Sequence, residues 1–169
     1  MKVDLTEKKR DIALLGTDLF NKITGLPESI RTDEKKRTGI QILVREPGTR
    51  NLVVVAVFDP SDAARFFSIE KAVRSYIKGD FASQNSENPD DMEFAGSVTA
   101  CIEGMTIQVS VSGLKAEEDV TVAILVLASI FKVKPRSVIK NIRSNGGMLP
   151  RYLSLKSHYL SHILDQTYN

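Results

Sequence analysis

Tryptophan is absent from these 169 residues, cysteine occurs once and histidine twice. A single cysteine, Cys101, excludes an internal disulfide, so nothing in the chain asks for an oxidising compartment. The longest apolar run lies around residues 122–131 and is too short to span a bilayer. No apolar stretch follows the charged start MKVDLTEKKRD, so a signal peptide is not expected. With 10 Gly, 6 Pro, 42% apolar and 26% charged residues, collagenous and wholly disordered classes are excluded. These absences point to a soluble, cytoplasmic protein without membrane insertion. Chemistry is scarce too. Gly113 and Gly146-Gly147 lie in no P-loop or dinucleotide fingerprint, and no serine sits in a nucleophile elbow. The sequence leans away from an enzyme.

What is present is a chain long enough for one proper core. Its net charge of +2 hides an asymmetry. Lys132, Lys134, Arg136, Lys140, Arg143, Arg151 and Lys156 meet no acidic residue before Asp165. Residues 132–169 therefore form a basic helical extension packed on an acidic domain of residues 1–131.

Helical spacing marks residues 5–23, with Ile12, Leu15, Leu19, Phe20 and Ile23 on one side. Gly25 and Pro27 stop that helix, and ESIRTDEKKRT (28–38) reads as a charged, solvated connector. Ile40, Ile42 and Val44 alternate as a half-buried strand, and Pro47-Gly48 turns the chain. The continuous run LVVVAVF (52–58) reads as a central strand covered on both faces. A helix follows over 63–78, with Phe66, Ile69, Val73 and Ile77 roughly on one side. DFASQNSENPDDM (80–92) has no period and reads as a long surface loop.

Residues 94–127 carry the clearest pattern. Val98, Ala100 and Ile102 alternate with Ser97, Thr99 and Cys101, and Met105, Ile107, Val109 and Val111 alternate with Thr106, Gln108, Ser110 and Ser112. One face of this hairpin is aliphatic, and the other is a lawn of small polar groups. Serine and threonine there, rather than lysine and glutamate, suggest contact with a helix layer, a partner subunit or a ligand. Glu117, Glu118 and Asp119 lie in the first turn of a helix over residues 116–131 that is apolar nearly all round. Their place in a first turn reads as capping and dipole chemistry more than as an acid/base cluster. Pro135 and Pro150 start two shorter helices, ending near Asn145 and Gln166.

His158 and His162 are four apart on the last predicted helix and are the candidate metal ligands, though HYLSH lacks the glutamate of a zinc helix. The long loop beside the small-residue sheet face leaves room for a ligand. Phe81, Phe94, Ser97, Thr99, Gln108 and Ser112 are the candidate lining residues.

Ser68-Ile69-Glu70-Lys71-Ala72, then Val109-Ser110-Val111-Ser112-Gly113-Leu114 and Glu117-Glu118-Asp119, in that order and spacing, resemble the GlcG/HbpS-like family. This haem-degrading domain family includes the C-terminal domain of PduO-type proteins. The chain departs from the family's Gly-Gly-x-Pro strand, where it reads Ala95-Gly96-Ser97-Val98. The resemblance spans about residues 5–131 and implies an α/β (α+β), profilin-like three-layer α/β/α fold with a mainly antiparallel sheet. It further implies a homo-oligomer and a small-molecule ligand, with haem or a cobalamin-like tetrapyrrole as the candidate cofactor. The function expected is a non-catalytic binding or sensory domain. The alternative is an interaction protein whose basic extension docks an acidic protein or nucleic acid; the modest charge density weighs against nucleic acid.

Overall fold

The structure, a computed structural model, describes residues 3–166. Helix α1 (Lys9–Thr24) leads to hairpin β1 (Gly39–Arg45) and β2 (Leu52–Phe58), then to α2 (Asp62–Lys78). A second hairpin, β3 (Ser97–Ile102) and β4 (Met105–Ser112), is followed by α3 (Ala116–Phe131), α4 (Pro135–Ser144) and α5 (Tyr159–Gln166). The strands form one antiparallel sheet in the order β2-β1-β4-β3. The chain is a mixed α+β protein in three layers, with α2 on one face of the sheet and α1 and α3 on the other.

Register explains the layers. Pairing of Ile42 with Val55 and Val111, and of Val98 with Val109, puts most aliphatic positions of the four strands on one face, with Leu43, Leu52, Val54 and Ala56 on the other. Thirteen of the sixteen residues of α3 are buried, because α3 packs on that face with α1 and α4 beside it. That is why its sequence is apolar nearly all round. Residues of α4 and α5, among them Val138, Ile142, Leu160 and Leu164, join the same core. The segment after Pro150 is not one helix: a 3-10 turn (Arg151–Ser154) and α5 divide it.

The polar sheet face is the seat of α2. Gln41 Nε2 donates to Ser68 Oγ (2.6 Å), Gln108 Nε2 donates to Ser75 Oγ (2.8 Å), and the Ser75 and Ser97 hydroxyls lie 3.3 Å apart. Against this surface α2 buries Ala64, Ser68, Lys71, Ala72 and Ser75, small or polar groups that let it approach closely. Phe66, Ile69, Val73 and Ile77 therefore face solvent. The run 52–58 is likewise not a central strand. It is an edge, with Val53, Val55 and Val57 buried and Leu52, Val54, Ala56 and Phe58 exposed.

The opposite edge is closed. Asn141 of α4 accepts from the Cys101 N–H (2.9 Å) and donates to the Cys101 carbonyl (2.6 Å), doing at one point what a fifth strand would do. Thr99 N donates to the Phe81 carbonyl (2.8 Å), and Ala82 bridges to Val98. The loop 80–92 is thus partly tied to the sheet and carries two 3-10 turns, Ser83–Ser86 and Pro89–Asp91.

Candidate functional site

Where α2 passes the start of α3, the sheet end leaves a pocket of about 310 Å³. Its floor is a buried ion pair. Lys71 Nζ lies 3.0 Å from Asp119 Oδ2 and donates also to the Val111 carbonyl (3.0 Å), and both side chains are almost wholly buried. Asp119 further accepts from the Leu114 N–H (3.1 Å). Burial pushes the Asp119 carboxyl up from its ordinary range, and the Lys71 ammonium works against that shift. Gly96 makes the approach possible. At φ +138°, a Cβ there would stand 2.6 Å from the Val111 carbonyl oxygen and 2.7 Å from Lys71 Nζ.

The walls are Phe67 and Phe94, packed edge to face with ring centroids 5.4 Å apart, together with Ala63, Leu114 and Ala116. The rim is cationic: Lys35, Arg37 and Lys115. Arg37 is fixed by Asp33 (2.7 Å) and by the Gly113 and Leu114 carbonyls. Lys115 Nζ donates to the Thr32 carbonyl. An ammonium has three donors, and Lys71 commits two of them within the protein.

Behind the pocket lies a second buried carboxylate. Glu118 is fully buried and takes a bidentate contact from Arg31, at 2.6 and 2.9 Å. It also accepts from the Lys115 N–H (3.1 Å), a capping interaction, and from the Tyr159 hydroxyl (2.8 Å). Burial and that hydrogen bond push the Tyr159 hydroxyl well above the usual phenol range. The connector 28–38 is largely exposed, as its composition suggests, but it is anchored at two points. Arg31 and the Asp33 carboxylate are buried, and the segment straps the N-terminus of α3. Of the acidic triplet, Glu118 makes the capping contact that its position suggests, and Glu118 and Asp119 also reach partners far along the chain, Arg31 and Lys71.

Asp33 supplies a pH prediction. Burial acts to raise its carboxyl, but the Arg37 guanidinium, the Lys35 N–H and Arg31 prevail and hold it well below the usual carboxylate range. A lowered folded value gives stability that is complete above the unfolded carboxyl pKa of about 3.9. That stability is lost as pH falls through the folded value. Wild-type stability should therefore drop below about pH 4, and Asp33→Asn should flatten that limb while lowering stability at neutral pH. Chemical denaturation at a series of pH values measures both; an unchanged acid limb in the variant would contradict the assignment.

The residues singled out in the sequence fall in different places. Phe94 and Ser112 line the pocket. Phe81, Thr99 and Gln108 line a separate depression of about 210 Å³ beside Tyr76. Ser97 lies buried under α2 and lines neither. His158 precedes α5 and stacks between Tyr152 and Tyr159, with ring centroids 4.7 Å from each, while His162 is exposed. Among the described residues, no group of three His, Cys, Asp or Glu side chains is placed to hold a metal. Lys71, Lys35, Arg37 and Lys115 are not among the sequence candidates, and Asp119 reads there as a first-turn carboxylate more than as a site residue. One signal was available: the Lys-Ala and Glu-Glu-Asp landmarks of the resemblance meet in space as the Lys71–Asp119 pair.

No helix among the described residues is long and apolar enough to cross a membrane. Comparison with family models, with curated proteins and with solved structures finds no match for the chain. Fold and pocket therefore define its class by their own geometry: a three-layer α+β domain with a cation-rimmed pocket over a buried lysine.

Proposed function

We propose that this is a non-catalytic, self-associating binding or sensory domain of the GlcG/HbpS-like kind. Its ligand is a small organic anion, carrying a carboxylate or phosphate on an apolar body, held between α2 and α3. The observation that supports this reading is the lining. Lys35, Arg37 and Lys115 surround an apolar slot, and at its floor Lys71 has one donor uncommitted by the protein. A volume of about 310 Å³ suits a metabolite-sized molecule. The tetrapyrrole expected from the resemblance does not fit this lining, which has no histidine, cysteine, tyrosine or methionine to ligate a haem iron.

Binding to the folded state alone raises stability by about 2.7 kcal/mol at a hundredfold excess over Kd. A thermal-shift and calorimetric panel of small mono- and dicarboxylates and organic phosphates should yield a saturable shift. Haemin and cobalamin, followed by absorbance, should give none. Lys35→Glu, and Ala63→Trp to fill the slot, should each weaken binding at least tenfold without lowering the ligand-free melting temperature. A panel with no saturable member, or affinity unmoved by both variants, rejects the pocket.

A second reading is favoured by one observation. Lys132, Lys134, Lys140, Arg143, Arg151 and Lys156 are all exposed. Docking of an acidic protein there would weaken steeply with salt.

A further inference from the structure

We infer that the chain forms a two-fold dimer in which the α2 helix of each copy lies in the seat over β2 that the other copy leaves empty. Two sheets then enclose one shared layer of two helices. This names the contact behind the self-association proposed above, and it stands or falls independently of the ligand.

The seat is visible in the sheet. Leu52, Val54 and Ala56 pair with Arg45, Leu43 and Gln41 and share with them the face on which α2 lies. However, α2 rests over β1, β4 and β3 and leaves Leu52, Val54 and Ala56 exposed. Strands lie about 4.8 Å apart, so β2 runs roughly 7 Å to the side of a helix seated between β1 and β4. A neighbouring helix packs about 8–10 Å from the first. One helix diameter from α2 is therefore the space directly above β2. Among the described residues no helix of this chain fills it.

The exposed surface of α2 matches such a neighbour. Its buried stripe runs through Ser68 and Ser75. The flank toward β3 is already in use: Phe67 packs on Phe94, and Arg74 donates to the Ser83 and Phe94 carbonyls. At about 100° per residue, Ile69 and Tyr76 fall on the other flank, facing the space over β2. The Tyr76 ring lies against Arg45, the partner of Leu52, which fixes that direction. Phe66, Val73 and Ile77 point away from the sheet, and Ile77 is 75% exposed. The uncovered apolar surface thus has two parts, a flank facing sideways and a back facing outward. A lone docked helix would cover one of them. A second copy covers both, with its α2 against the flank and its β2 across the back.

Symmetry closes the arrangement. Gln41 bonds to Ser68 and to the Arg65 carbonyl, and Arg45 donates to the Ala72 carbonyl, so α2 runs in the same direction as β1. A two-fold axis parallel to both, midway between the two helices, turns one sheet over to face the other. Each α2 then lies between its own β1 and β4 on one side and the other copy's β2 on the other. The helices run parallel, and Ile69 and Tyr76 each meet their own counterpart across the axis, as an isologous contact requires. The exposed large apolar side chains of α2 and of this face of β2 supply roughly 600 Å² per copy, about three quarters of one side of a standard interface. Ala56, Asp62 and Arg65, all exposed, border them.

Light scattering after gel filtration, and sedimentation velocity, should give twice the chain mass of 18.7 kDa at micromolar concentration. Val54→Lys in the seat and the double variant Ile69→Glu/Val73→Glu on the helix should each give monomers. Their circular dichroism should match wild type, since these side chains lie outside the core. In a Cys101→Ser background, Ile69→Cys and Tyr76→Cys, made singly, should each form an intermolecular disulfide under mild oxidation. Antiparallel helices would bring at most one of the two to its counterpart. The proposal is overturned by a monomeric wild type, by a dimer that survives both charge variants, or by a dimer in which only one cysteine variant, or neither, cross-links. A monomer that instead binds lipid vesicles through these residues overturns it too. A monomeric result would leave the pocket to its own ligand panel, and Lys35→Glu, which tests the pocket, should leave the mass unchanged.

Discussion

Asp119→Ala is expected to lower unfolding stability by about 3–5 kcal/mol. Among the described residues the carboxylate is the sole anionic partner of Lys71, and both side chains are nearly inaccessible to water. Its removal strands a buried ammonium with only the Val111 carbonyl and leaves the Leu114 N–H without its acceptor. The pair itself is a different quantity from the cost of breaking it. Desolvation of two charges consumes most of their attraction, so apolar replacements of similar volume come close to neutral. Lys71→Met combined with Asp119→Leu should therefore recover most of the loss. Denaturant titration of both single variants and the double measures the cycle. A loss below about 1 kcal/mol for Asp119→Ala would mean that water reaches the pair from the pocket and screens it.

Arg31→Met should cost about 3 kcal/mol, the lower end for breaking a buried pair. Glu118 keeps its bonds from the Lys115 N–H and the Tyr159 hydroxyl but loses the one cation paired with it among the described residues. Neutralising it in that background, with Glu118→Gln, should return part of the loss. Tyr159→Phe should cost about 1 kcal/mol, the worth of one ordinary hydrogen bond. If Arg31→Met is silent, the strap over α3 contributes nothing to stability and residues 28–38 behave as the solvated connector their composition suggests.

That contrast shows where sequence reasoning reaches. The second hairpin and α3 were legible because each is specified by local periodicity, and the predicted span 116–131 coincides with the observed helix. Pro135 likewise marks the first residue of α4. Arg31 was illegible because its partner is 87 positions away and charge composition carries no address. The helix 62–78 misled for a different reason. Its apolar seam is real, but in one chain it is the outward face, since a polar sheet surface accepts Ala, Ser and Lys71 in its place. LVVVAVF shows the same ambiguity: a run apolar on both faces does not say whether its second face is covered. As for the pocket, Phe94 and Ser112 could be placed near it from the loop and the sheet end. Its cations come from segments that read as connector, helix and cap.

Asn141 decides more than the end of a sheet. By occupying both backbone groups of Cys101, and with Phe81 and Ala82 beside it, it leaves the sheet, among the described residues, with one free edge. Strand addition then has a valence of one. Any strand added at β2 by a second copy would meet a blocked far end, where a sheet open at both edges would grow into a filament.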